Sequence, residues 1–341
     1  MVDIDRLNET ARAMVAPGHG ILAMDESHGT CEKRFKTAGI EFNEQKRREY
    51  RDMLVTTPGL SDHVAAAILF DETIRQNTLS GQPFPKYMVD NGILPGIKVD
   101  GGAKDLAGHP GEKVTDGLDG LRERLAEYVG LGARFTKWRA VITIGNGIPS
   151  RACLEANAHA LARYAALVQE AGMVPIVEPE VLIDGDHSLE RCYEVTEAAL
   201  QTTFEQLHAQ GVVLEGMILK PSMVISGKQA SNRAPVQAVA EATLRCLKRT
   251  VPGAVPGVAF LSGGQSEQEA SAHLNAMNAM GGLPWRLTFS YARALQQPAL
   301  DAWRGESANV AAAQKIFHQR ARLNGAASMG QYSPEMERQA A

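Results

Sequence analysis

The chain has 341 residues, 44% of them apolar, and a net charge of −4. That length can bury a large core in one or two domains. The slightly acidic balance argues against a nucleic-acid binder or a basic protein adsorbed to a membrane, so any anionic ligand must be met by locally gathered cations.

The opening stretch, MVDIDRLNETARAMVAPGHG, carries early acids and no apolar core, so no secretory signal is expected. Short apolar or β-branched runs follow: GILAMD (20–25), AAAILF (65–70), GIKVD (96–100), FTKWRAVI (135–142), VPIVEPE (174–180), LEGMILKP (214–221), GVAFLSGG (257–264) and LTFSYAR (287–293). None is long enough to span a bilayer. They begin roughly 30–45 residues apart, the rhythm of strand–helix units with insertions. Between them lie helical periodicities. Leu154, Ala158, Leu161, Ala165 and Val168 share one face and Gly172 stops it; Leu189, Tyr193, Thr196, Leu200, Thr203 and Leu207 do the same up to Gly211. Ser266 with Glu269 has the form of a capping box opening a helix after the seventh run.

No linker or composition break divides the chain. The expectation is an α/β protein, a single (β/α)8 TIM barrel over residues 1–327 with its active site at the carboxyl ends of the strands, and a mobile tail over 328–341. An open dinucleotide-binding sheet would carry a Gly-rich turn after its first strand; ESHGTCEKR stands there instead. Cys31, Cys153, Cys192 and Cys246 lack CxxC spacing and read as reduced thiols. The nine histidines form no HxH or HExxH pair, so neither metal nor cofactor is expected. A cytoplasmic protein is the expectation.

Polar residues cluster at the ends of these runs: Asp25, Lys98, Lys137, Glu178 and Glu180, Lys220, Ser262–Gly263–Gly264, and Arg293. A barrel brings them to one mouth. Lys220 ends an apolar segment and is stopped by Pro221. Its ordinary reading is a head group reaching solvent past the strand end. Desolvated beside a second cation, for which Lys137 is the candidate, it becomes an amine able to attack carbonyls. Glu178 and Glu180 share a strand face, as do Lys137 and Arg139, with Trp138 opposite. The two acids suit a division of acid and base work, or simple neutralisation of nearby lysines. LSGGQS (261–266) runs into a capped helix and, with Arg293, suits phosphate. Lys33, Arg34 and Lys98 with Ser27 suit another phosphate across the mouth, although the Lys33–Arg34 pair alone reads as a solvated helix face.

These residues resemble a known family, the class I fructose-bisphosphate aldolases. The resemblance runs from about residue 10 to residue 333 and is carried by GILAMDES, FDET, GIKVD, GLDGL, KWR, VPIVEPE, DGDH, LEGMILKP, FLSGGQSE and LTFSYAR. It implies a metal-free homotetrameric (β/α)8 barrel that cleaves fructose 1,6-bisphosphate to dihydroxyacetone phosphate and glyceraldehyde 3-phosphate through a lysine Schiff base. By resemblance, Lys220 attacks the C2 ketone, Glu178 moves protons during imine formation, and Asp25 acts on the C4 hydroxyl. Lys137 tunes the site and Glu180 supports the lysine–carboxylate network. Ser262, Gly263, Gly264, Ser290 and Arg293 match groups around one phosphate; Ser27, Lys98 and Arg34 match groups near the other, Arg34 serving either end. Arg139 joins the substrate-binding set.

Three departures from the family pattern stand out: Ser222 where Asn is common, Ala292 where Gly usually precedes the arginine, and a last tyrosine at Tyr332 where many relatives end in one. They leave open a related aldolase acting on fructose 1-phosphate, tagatose or sedoheptulose bisphosphate. A non-catalytic phosphosugar scaffold would be free to lose Lys220, Glu178 or Asp25, and all three are present.

Overall fold

A computed structural model describes residues 3–338. Among them, eight parallel strands close into a barrel: β1 (Gly20–Ala23), β2 (Val64–Leu69), β3 (Leu94–Lys98), β4 (Phe135–Ile142), β5 (Val174–Val181), β6 (Ile218–Leu219), β7 (Gly257–Phe260) and β8 (Arg286–Tyr291). Closure runs through the pairing of β1 with β8, Ile21 opposite Ser290 and Leu22 opposite Tyr291. The TIM barrel expected from the sequence is therefore the fold. Six of the eight runs keep their strand over most of their length, and the seventh keeps it over its first half, Gly257–Phe260. The sixth keeps two residues, because Leu214–Gly216 forms a 3-10 turn and Lys220 is already past the strand.

Alternation along the strands divides two cores. Ile21, Ala23, Ala66, Ile68, Phe135, Val174, Ile176, Ile218 and Ala259 fill the barrel interior, and Leu7, Ala11, Met14 and Val15 pack onto them from the amino-terminal side. The helix Ile4–Met14, capped by Asp3, thereby plugs the amino end of the barrel. The larger core lies between the outer strand faces and the ring of helices.

The helices obey their periodicity. Arg151–Glu170 buries Ala158, Leu161, Ala165 and Val168, and Leu189–Ala209 buries Thr196, Leu200, Thr203 and Leu207. Glu267–Met280 opens with both bonds of the Ser266–Glu269 capping box. An antiparallel ribbon, Ala103–Asp105 with Lys113–Thr115, rises from the connection between β3 and β4.

Past Ser328, where a mobile tail is expected, the chain lies against the helix Val310–Ser328. Arg320 pairs with Glu337 at 2.6 Å, and Tyr332, itself buried, donates to Glu337 at 3.0 Å. Residues 339–341 of that stretch lie outside the described residues. All four cysteines are free and buried, and no described helix is long and apolar enough to cross a membrane.

Candidate active site

The carboxyl ends of the strands line a cavity of about 360 Å³. Two charged layers meet in it. Lys137 and Arg139 face inward from β4, and Trp138 points outward to pack on Tyr164. Glu178 and Glu180 face inward from the neighbouring β5, whose register sets Glu178 opposite Arg139. Asp25, two residues past β1, and Lys220, one past β6, complete the floor.

Glu178 is the hub. Its Oε1 is 3.3 Å from Lys220 Nζ and its Oε2 is 3.2 Å from Lys137 Nζ. Lys137 also reaches Asp25 Oδ2 at 2.7 Å. Asp25, Lys137, Glu178 and Lys220 are all less than 9% exposed. Burial pushes Asp25 upward, but Lys137, Lys220 and Lys98 outweigh it and hold the carboxyl below its ordinary range. Burial likewise opposes the ionised form of Glu178, and Lys137, Lys220 and Arg139 overcome it. Desolvation would discharge Lys137, yet Asp25, Glu178 and Asp100 raise it far above a normal lysine. Two carboxylates and a permanent ammonium therefore surround Lys220.

Beyond the floor, Arg139 pairs with Glu180, and Lys98 lies 3.0 Å from Asp100. Asp100 is fixed in turn by the backbone N–H groups of Gly102 and Arg139. Ser262 and Gly263 follow β7, while Ser290, at the end of β8, is 1% exposed and its hydroxyl has no hydrogen-bond partner among the described residues. A buried unpartnered hydroxyl facing a polar cavity is a donor awaiting an oxygen. Arg293 opens the helix Arg293–Trp303 and stands exposed at the rim. Across the mouth are Ser27, Thr30 and Lys98.

Twelve of the fourteen residues expected in the site thus line the cavity: Lys220, Glu178, Asp25, Lys137, Glu180, Ser262, Gly263, Ser290, Arg293, Lys98, Ser27 and Arg139. Two do not. Gly264 turns away with φ +71, and a Cβ there would lie 2.3 Å from the Ile183 side chain, so it is a loop-forming residue. Arg34 is buried behind the wall, paired with Glu26 and bonded to Gln296 and Tyr50, while Lys33 beside it is exposed. Sequence reasoning missed Glu26, Thr30 and Asp100. Asp100 ends the run GIKVD and Glu26 adjoins Asp25, so position at a strand end was a usable signal.

The departures have local explanations. Ser222 donates to the Val181 carbonyl at 2.8 Å, tying the Lys220 segment to the strand of Glu178. Ala292 has φ −102, which an L residue adopts without the left-handed strain that would demand glycine. Among the described residues no three His, Cys, Asp or Glu side chains gather as metal ligands.

A family model described as fructose-bisphosphate aldolase class-I matches residues 6–341. A probable fructose-bisphosphate aldolase class 1 of Xanthomonas campestris pv. campestris is 61% identical over 332 residues, covering 97% of this chain and 99% of that protein. The cytoplasmic isozyme of fructose-bisphosphate aldolase from Spinacia oleracea is 51% identical over 329 residues, covering 96% and 92%. Among solved structures, fructose-bisphosphate aldolase from Plasmodium falciparum, in complex with TRAP and a small-molecule inhibitor, superposes with a TM-score of 0.95. It is 47% identical and covers 97% of this chain and 96% of that one.

Proposed function

The chain belongs to the class I fructose-bisphosphate aldolase family, and from that premise we propose how its cavity performs the reaction. The enzyme catalyses the reversible aldol cleavage of fructose 1,6-bisphosphate to dihydroxyacetone phosphate and glyceraldehyde 3-phosphate. The observation that carries the proposed mechanism is the placing of one buried carboxylate, Glu178, between the ammonium groups of Lys220 and Lys137.

Held ionised by its cations, Glu178 is set to accept before it donates. It takes a proton from Lys220, whose free amine attacks the C2 ketone of the open-chain sugar. The C2 oxygen then gains two protons, one passed from the amine nitrogen and one returned by Glu178, so that water leaves and a protonated imine remains. Asp25, also ionised, takes the C4 hydroxyl proton. The C3–C4 bond breaks, its electron pair enters the imine to give an enamine, and the aldehyde fragment is released. Lys137 stays charged throughout and keeps both carboxylates poised. Glu180, bound to Arg139, buttresses this pair.

One phosphate is met by Ser262, the Gly263 backbone, the unpartnered Ser290 hydroxyl and Arg293, at the amino end of a capped helix. Ser27, Thr30 and Lys98 receive the other. Arg34 takes no direct part in this reading, because its guanidinium is engaged behind the wall.

Borohydride added with dihydroxyacetone phosphate is expected to fix the three-carbon unit on Lys220, read by peptide mass. Lys220→Arg, which keeps charge without forming an imine, should abolish both trapping and cleavage. Trapping on another lysine would overturn the assignment. We also place the enzyme in the cytosol as a homotetramer, a reading supported by the cytoplasmic spinach relative and by family resemblance; light scattering returning the mass of a single chain would refute the assembly.

A further inference from the structure

The backbone around Asp25 is held from outside the barrel by side chains of two distant helices. Gln296, fully buried on the helix Arg293–Trp303, donates its amide to the Ala23 carbonyl at 2.6 Å. Arg51, 1% exposed on the helix Glu44–Val55, donates to the Met24 carbonyl at 2.9 Å and to the Glu26 carbonyl at 3.0 Å. Three of the carbonyls flanking Asp25 are thereby tied to side chains.

The orientation of Gln296 is determined by its partners. Its Oε1 accepts from Arg34 at 2.8 Å and from Tyr50 at 2.9 Å, so its amide nitrogen must face Ala23. Glu26 closes the network by accepting from both Arg34 and Arg51. A buried, densely bonded polar cluster of this kind, in which only the Nε of Arg34 among these groups goes unpaired, holds geometry well, and an apolar cluster of equal volume fills the same space without its desolvation cost. What the polar version adds is direction.

Gln296 lies three residues after Arg293, within the first turn of the same helix. One rigid turn therefore carries a cation facing the cavity and an amide gripping the strand that delivers Asp25. We propose that Gln296 is a positioning residue, which aims Asp25 at the C4 hydroxyl and couples that aim to the seating of Arg293 on phosphate. The inference rests on the role given to Asp25 above. It assigns Gln296 to the bond-breaking step and not to imine formation, because Asp25 has no part in the latter.

The test separates those two steps. Gln296→Glu preserves size and the acceptors for Arg34 and Tyr50, but sets a carboxylate oxygen against the Ala23 carbonyl. Its kcat for fructose 1,6-bisphosphate cleavage should fall about tenfold or more, since small misplacements of a proton acceptor cost that much. KM should stay within about twofold, and borohydride trapping of dihydroxyacetone phosphate on Lys220 should keep its wild-type yield. Arg51→Lys, which keeps a cation near Glu26 but loses the paired carbonyl contacts, should show the same split and carries the test if Gln296→Glu does not fold. Unchanged cleavage would overturn the proposal. So would cleavage and trapping falling together, the mark of a general structural role, or a rise in KM alone, the mark of an effect confined to Arg293. Wild-type protein that is not trapped on Lys220 would overturn the imine reading, and this inference with it.

Discussion

At the scale of single residues, the site is an electrostatic balance around Lys137. Its ammonium offsets the burial of both Asp25 and Glu178, which hold their protons less tightly than free carboxyls. The sign follows from those depressed values. Stability contributed by the two acids is present above their ordinary values of 3.8 and 4.5, and is lost as pH falls through the lower folded ones. Lys137→Met removes the main cation, so both carboxyls should protonate at higher pH. The acid limb of kcat/KM for the bisphosphate should then move upward, and an unmoved limb would remove Lys137 from the proposed mechanism. Much of this was legible in the sequence, because a residue two places along a strand faces the same way: Lys137 with Arg139, and Glu178 with Glu180, had to project together. Arg34 was not legible. Its partner Gln296 is 262 positions away, and no local pattern tells a buried guanidinium from a solvated one.

At the scale of elements, the loop proposed to hold phosphate shows how a short motif obtains its shape. Gly264 supplies a left-handed turn against Ile183, and the capping box fixes the helix that follows. Ser266 accepts from the Glu269 N–H at 3.2 Å, and Glu269 accepts from the Ser266 N–H at 2.9 Å. Ser266→Ala should cost about 1 kcal/mol of stability. Because the frayed turn adjoins Ser262 and Gly263, KM for the bisphosphate should rise while kcat holds; an unchanged KM would mean the loop holds its form without the cap. The box was readable from its spacing. The shortened β6 was not, since Leu214–Gly216 turns early to accommodate Leu7, which lies 2.8 Å from where a Gly216 Cβ would stand. The helix Ile4–Met14 also escaped notice, although Asp3 followed by Leu7, Ala11 and Met14 is a cap and a one-sided apolar stripe.

At the scale of the whole molecule, the order of the strands makes neighbours of residues as distant as Asp25 and Arg293. The spacing of eight apolar runs was enough to foresee that architecture, because a closed sheet needs no special residue at its seam, only strands of matched rhythm. Which side chains meet outside the barrel depends on how the helices lie against it, and periodicity does not encode that.

The helix that stops up the amino end has one more effect. With Leu7, Ala11 and Met14 wedged beneath the strands, the described residues shut the amino end of the barrel and leave the cavity its doorway at the other. Sugar arrives, and both three-carbon fragments depart, through the same opening. Under the proposed mechanism the aldehyde, held by no bond once the chain is cut, is free to go first; its companion stays moored to Lys220 until the enamine takes up a proton and water severs the imine. Traffic through that doorway must therefore take turns.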